Sequence, residues 1–192
     1  MLEALYARAP LWLQNAMVST YGLYWRHRRL GGSFRREVAA FRAREWFTGE
    51  EWQAYTPARL RDLLTLAVQR VPHYRGLLSV QEAQSFTPAD LPHLPHLPKG
   101  TARDDPHSLL IDGRPRPRHR VYHTSGSTGT PIATYWLPEE HRRSLAAREA
   151  RSHQFAGIGF HLPRATIGGR IVVPDPDSSG PLHRIKLAER QI

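Results

Sequence analysis

Tyr122-His123-Thr124-Ser125-Gly126-Ser127-Thr128-Gly129-Thr130-Pro131 is the stretch on which the reading of this chain turns. Thr124 to Pro131 holds two glycines, three threonines and two serines in eight residues. Glycine lets the backbone take positive φ and come close to a ligand. Successive backbone N–H groups in such a loop can form a nest for an anion, and small hydroxyls add donors without bulk. Chemically the segment suits phosphate oxygens. No Gly-Lys-Ser/Thr closes it, so it is not a Walker A loop. The third glycine and following helix of a dinucleotide fingerprint are also missing. Val121-Tyr122-His123 and Ile132-Ala133-Thr134-Tyr135-Trp136-Leu137 read as strands on either side. The loop therefore runs from strand to strand, with no helix N-terminus behind it. A plain serine-threonine-glycine hairpin turn is the competing reading, and composition permits both.

Downstream, Pro138-Glu139-Glu140 opens a helix, with proline and two acids in its first turn. It is expected to run to about Phe155 and end at Gly157. The two acids read as helix-start charges rather than magnesium ligands. Ala165-Thr166-Ile167 and Ile171-Val172-Val173 are strand-like and are split by Gly168-Gly169-Arg170. Pro174 to Pro181 is turn-rich, and a new element begins at Arg184.

Upstream, prolines at 88, 92, 95, 98, 106, 115 and 117 predict extended segments and short turns, with a helical turn after Thr87-Pro88. His93 and His96 supply two ligands without a carboxylate pair, so no metal site is expected. Arg114 to Arg120 carries four arginines and a histidine. It suits either nucleic-acid phosphates or a solvated basic loop. No interleaved aromatics are present to stack bases, and specific nucleic-acid binding is not expected.

Before these lie the helices. Leu60, Leu64, Ala67 and Val71 repeat on one helix face, and Pro72 stops it. Thr48-Gly49-Glu50-Glu51 has capping-box spacing. A short helix through Trp52 and Tyr55 is expected there, with a second start at Thr56-Pro57. Ser33 caps a helix to about Phe47, with Phe34, Val38, Phe41 and Trp46 as its buried stripe. The N-terminal stretch reads as a short helix broken at Pro10. A second helix runs from about Leu11 to the block Trp25-Arg26-His27-Arg28-Arg29 and ends at Gly31-Gly32. Its aromatics and basic flank suit either a membrane surface or an arm packed on its own globular body.

Composition bounds the rest. The chain has 192 residues, a net charge of +10 and no cysteine. Disulfides, thiolate metal sites and thiol nucleophiles are excluded. No apolar run approaches the roughly 18 residues of a spanning helix, and no secretory leader is apparent. A cytoplasmic location is the expectation. Only Lys99 and Lys186 among the 27 basic residues are lysines; that bias fits anion recognition or simple coding composition.

The loop from Thr124 to Pro131 resembles the phosphate-loop signature of adenylate-forming enzymes, T-S-G-[ST]-T-G-x-P. Pro57-Ala58-Arg59-Leu60 and Val71-Pro72-His73-Tyr74-Arg75 are similar to the N-terminal helices of the phenylacetate–CoA ligase-like branch, in particular the capsular polysaccharide biosynthesis (CapK-type) proteins. Pro10 to Asn15 resembles that branch's N-terminal arm. Leu97-Pro98-Lys99, Gly168-Gly169-Arg170 and Ala188-Glu189-Arg190-Gln191 resemble its other landmarks. Ile132 stands where many members of the superfamily carry lysine.

The resemblance implies an α/β fold with an α+β start: helices, then the beginning of a mixed β-sheet nucleotide-binding subdomain. On that reading, residues 1–32 are an amphipathic arm, 33–80 a helical region and 81–117 a proline-rich connection. Residues 118–192 are an incomplete AMP-binding subdomain with the phosphate loop at 124–131. The implied activity is ATP-dependent carboxylate activation to an acyl-adenylate. ATP and magnesium are its implied cofactors, a carboxylic acid its substrate, and CoA a candidate acceptor for the full enzyme. Thr124, Ser125, Gly126, Ser127, Thr128, Gly129 and Thr130 are the implied nucleotide contacts. The family's aromatic-glycine-threonine-glutamate segment, its ribose-binding aspartate and its C-terminal lysine do not occur here. The expectation is an N-terminal portion, inactive alone, with strands after 120 that lack partners. A basic nucleic-acid-binding or peripheral membrane-associated protein is the alternative.

Overall fold

The computed structural model describes residues 6, 8–126, 129–153, 155–166, 181 and 183–192. These are mostly helical, with one small two-stranded antiparallel sheet, which is an α+β class. The helices are α1 (Leu11–Leu30), α2 (Phe34–Arg44), α3 (Gly49–Arg70), α4 (Val80–Ser85), α5 (Lys99–Asp104) and α6 (Pro138–Arg148). The strands are β1 (Arg120–His123) and β2 (Ala133–Trp136). The chain divides into a discontinuous unit, residues 1–43 with 139–192, and a continuous unit, residues 44–138.

The continuous unit is built on α3. Its start is a full capping box: the Thr48 hydroxyl accepts the Glu51 N–H at 3.2 Å, and the Glu51 carboxylate accepts the Thr48 N–H at 2.7 Å. Two helices are expected across 49–71, but one continuous helix forms, with Pro57 inside it. Proline has the right φ for a helix, and the carbonyl it leaves without a donor belongs to Gln53 on the exposed side. Val71 ends the helix, and its N–H returns to the Ala67 carbonyl. Val68, Val71, Ala83 and Phe86 form the buried interior of this unit.

Where the prolines suggest only turns, α4 and α5 are helices. Ser79 and Glu82 cap α4 reciprocally, and the Ser79 N–H holds the Glu82 carboxyl below its usual range. Asp90 accepts from both the N–H and the hydroxyl of Thr87, fixing the expected turn after Pro88. The far end of α3 is tied by a bidentate pair. Arg70 Nε reaches Asp112 Oδ1 at 2.7 Å, and its Nη2 reaches Oδ2 at 2.6 Å. That hydrogen bond holds the Asp112 carboxyl below its ordinary range.

In the discontinuous unit, Phe34 and Val38 of α2 join Leu145, Ala146 and Ala150 in one buried cluster, with Leu30, Phe41 and Phe160 against it. Trp46 does not belong to the stripe expected of α2. The helix ends at Arg44, and Trp46 is 85% exposed. After Arg148, the helix that was expected to run to Phe155 widens into a π turn over Glu149–His153. There the Glu149 carboxylate takes the Phe160 N–H at 3.2 Å and pairs with His153 Nδ1 at 2.6 Å. Inserting one residue per turn is how a helix aims such a side chain sideways.

Residues 184–189 run along α1. Asn15 Oδ1 accepts the Ile185 N–H at 3.0 Å, and Ser19 Oγ donates to the Ile185 carbonyl and accepts the Leu187 N–H, both at 3.2 Å. Arg184 donates to the buried Gln14 at 2.6 Å. Gly22 is buried there because the Lys186 stem crosses it; a Cβ at Gly22 would meet Lys186 Cε at 2.7 Å. The polar side of α1 therefore faces protein. Elsewhere around α1, Trp12 (71% exposed), Leu23 (59%), Tyr21 (56%) and Tyr24 (48%) are open to solvent.

Ala165 and Thr166 are not in a named strand. Arg164 makes an isolated bridge to Gln191. Ile167, the Gly168-Gly169-Arg170 landmark, the strand expected at 171–173 and the turn from Pro174 to Gly180 lie outside the described residues, as does most of the first short helix.

Candidate functional site

β1 and β2 are short runs of aromatic and β-branched residues, and they pair antiparallel. Arg120 faces Trp136, Val121 faces Tyr135, Tyr122 faces Thr134 and His123 faces Ala133. On one face, Thr134 Oγ1 donates to the Tyr122 carbonyl and accepts the Trp136 indole N–H, each at 3.2 Å. On the other, the Tyr135 hydroxyl meets His107 Nε2 at 3.0 Å, and the His107 and His119 rings flank Tyr135 edge-on. The Arg116 N–H donates to His119 Nδ1 at 2.8 Å, which assigns the ring proton to Nε2. These contacts give the hairpin a fixed base.

The loop closes above that base. The Thr124 N–H donates to the Ile132 carbonyl at 3.1 Å, and the Ile132 N–H returns to Thr124 Oγ1 at 3.0 Å. In that pair the Thr124 hydroxyl acts as acceptor, so its own proton is not used there. The Gly129 N–H donates to the Gly126 carbonyl at 2.9 Å, folding the tip on itself. Gly126 has φ +65°, and a Cβ there would lie 2.6 Å from the Gly129 carbonyl oxygen and 2.9 Å from Pro131 Cγ. Gly129 has φ +137°. Both glycines are therefore demanded by the backbone.

Thr124, Ser125, Gly129 and Thr130 are exposed and Gly126 is half-buried. Ser127 and Thr128 lie outside the described residues. The loop is thus a strand-to-strand turn, and its described hydroxyl residues are open to solvent. Glu139 and Glu140 stand in the first turn of α6, where Glu139 lies 3.7 Å from Arg142. Among the described residues, no group of three or more His, Asp or Glu side chains converges as a metal site. In the basic run, Arg114 and Arg118 are exposed, Arg116 is half-buried, and Arg118 takes φ +76°.

Sequence reasoning missed a second cluster, in the discontinuous unit. Glu189 is buried, its side chain 2% exposed, and three cations surround its carboxylate. Lys186 lies at 2.9 Å, Arg164 at 3.2 Å and Arg29 at 3.7 Å. A lone glutamate near the C-terminus gives no sequence signal for this, because its partners lie up to 160 positions away. The Glu149-x-x-x-His153 spacing was a visible sign of the neighbouring pair.

No family model, curated protein or solved structure matches this chain.

Proposed function

We propose that the chain carries the phosphate loop of a phenylacetate–CoA ligase-like adenylate-forming enzyme, and that Thr124 to Thr130 grip the phosphates of ATP. The observation that supports this best is Gly126. Its positive φ and its lack of room for a side chain hold the backbone in a tight turn at the foot of the loop. A purely connecting turn does not need seven consecutive glycine and hydroxyl residues.

In the reaction proposed, a carboxylate oxygen attacks the α-phosphorus of ATP, and pyrophosphate leaves. The loop's part is electrostatic. Backbone N–H groups and hydroxyls hold the phosphates in line and offset charge as it moves to the departing oxygens. Magnesium would polarise those phosphates when bound. Among the described residues no group of three or more His, Asp or Glu side chains converges to hold it. The chain has no cysteine, so the thiol of the second half-reaction belongs to another molecule.

Equilibrium dialysis with labelled ATP tests this. Binding should be competed by tripolyphosphate but not by adenosine, and Ser125→Ala should weaken it about fivefold or more. Equal affinity in the variant would reject the loop as the site. These 192 residues should not support carboxylate-dependent ATP–pyrophosphate exchange, because they hold neither the adenine-binding segment nor the family's lysine.

A second reading, peripheral attachment to an anionic membrane, is favoured by α1. Trp12 and Leu23 are exposed on one face of it, Tyr21 and Tyr24 are exposed elsewhere around it, and no carboxylate occurs between Glu3 and Glu37, against six arginines. Aromatics with a basic flank suit the lipid–water interface. No described helix is long and apolar enough to cross a membrane. Co-sedimentation with phosphatidylserine vesicles that survives Trp12→Gln/Leu23→Gln would reject attachment through this face.

A further inference from the structure

We propose that the discontinuous unit holds an anion site separate from the loop: a cavity of about 530 Å³ bordered by Arg29, Arg148, Arg164, His153 and Phe160. Its occupant is a small phosphate monoester with an apolar body. Nothing in the phosphate-loop reading bears on this cavity.

The argument begins with charge. Arg29, Arg164 and Lys186 all lie within 4 Å of Glu189, and their side chains are only 25%, 26% and 18% exposed. Three poorly solvated cations share one carboxylate. Of these, Arg29 and Arg164 line the cavity, and Arg148 adds a third positive charge to its wall. A further described carboxylate, Glu149, is already engaged by His153 and by the Phe160 N–H. Among the described residues, positive charge around this wall therefore exceeds negative charge. Like charges held together on partly buried side chains raise the energy of the empty cavity, and an entering anion lowers it. Three arginines on one wall favour a dianion over a monoanion.

Geometry supplies the second part. Phe160 is the hub: the guanidinium carbons of Arg148 and Arg164 sit 5.6 and 5.5 Å from its ring centroid. Arg164 is oriented by hydrogen bonds to the Phe160 carbonyl at 3.4 Å and to Glu189 at 3.2 Å. Those bonds use two of its donors and leave others for a ligand. Planar arginine forks match phosphate oxygens. Ile158 and Leu162 line the same cavity, so the wall is apolar as well as cationic. The volume falls in the usual range for small-molecule sites. Inorganic phosphate would satisfy the charge but not the apolar wall.

The test is titration of the full chain with phenyl phosphate, followed by calorimetry and by phosphorus NMR line-broadening, with inorganic phosphate as comparator. Phenyl phosphate should bind saturably and more tightly than inorganic phosphate. Arg148→Gln should weaken it about fivefold or more. Arg148 is exposed and lies outside the Glu189 cluster, so this variant keeps the fold. Ser125→Ala, in the loop, should leave phenyl phosphate binding unchanged. Absence of saturable binding would overturn the proposal. So would wild-type affinity in Arg148→Gln, or loss of binding in Ser125→Ala, which would move the ligand to the loop.

Discussion

Replacing Gly126 by alanine tests the loop geometry directly. At φ +65° an L side chain costs about 1–2 kcal/mol in backbone strain. The new Cβ would also stand 2.6 Å from the Gly129 carbonyl oxygen and 2.9 Å from Pro131 Cγ. Relieving that overlap costs roughly 1 kcal/mol more, the lower end for overpacking because the loop is at the surface. The total, about 2–3 kcal/mol, falls on the closed hairpin rather than on the helices. Amide exchange is therefore the right assay. The Thr124 and Ile132 N–H groups close the loop, and their exchange should accelerate about 30-fold or more when the tip is strained. Gly49→Ala is the control: nothing lies within 4 Å of its added Cβ, so loop exchange should not change. Unaltered exchange at Thr124 and Ile132 in Gly126→Ala would refute the claim that the tip requires glycine.

Other outcomes follow from the same structure. Thr48→Ala removes the α3 capping box and should lower stability in urea by about 1 kcal/mol. Leu145→Ala opens the α2–α6 cluster, where Leu145 is 5% exposed, and should cost about 2–4 kcal/mol in the same assay. Asp112 has its carboxyl pKa lowered by Arg70, so its pair stabilises the fold fully above the unfolded carboxyl range near pH 4 and loses that contribution as pH falls through the lower folded value. The gap in thermal midpoint between wild type and Asp112→Asn should therefore be full at pH 7 and close in acid. Asparagine tolerates the positive φ of that position, so the comparison isolates charge.

What was legible in the sequence was what neighbours decide. Thr48 and Glu51 are three apart and find each other without help, and Pro10 and Gly31 bound α1 as their chemistry requires. The strand–loop–strand arrangement around 124–131 also followed from local turn chemistry. Pro57 misled because its start signal is real but an upstream helix was already running; a continuing helix needs no second nucleus. The Ser79–Glu82 box was equally local, yet the surrounding prolines hid it. The Glu189 cluster could not be read at all. Its members come from α1, from Arg164 and from Lys186, and only the folded chain brings them together.

The bonds between α1 and residues 184–189 have a consequence for biosynthesis. Asn15 and Ser19 cannot find Ile185 and Leu187 until about 170 more residues have been made. Residues 44–138 need no such wait, since their unit is contiguous. The middle of the chain can fold while still on the ribosome, whereas α1 emerges before it and docks after it. During that interval its polar flank has no strap, and its aromatic residues are exposed. α1 is then the segment with most need of a chaperone.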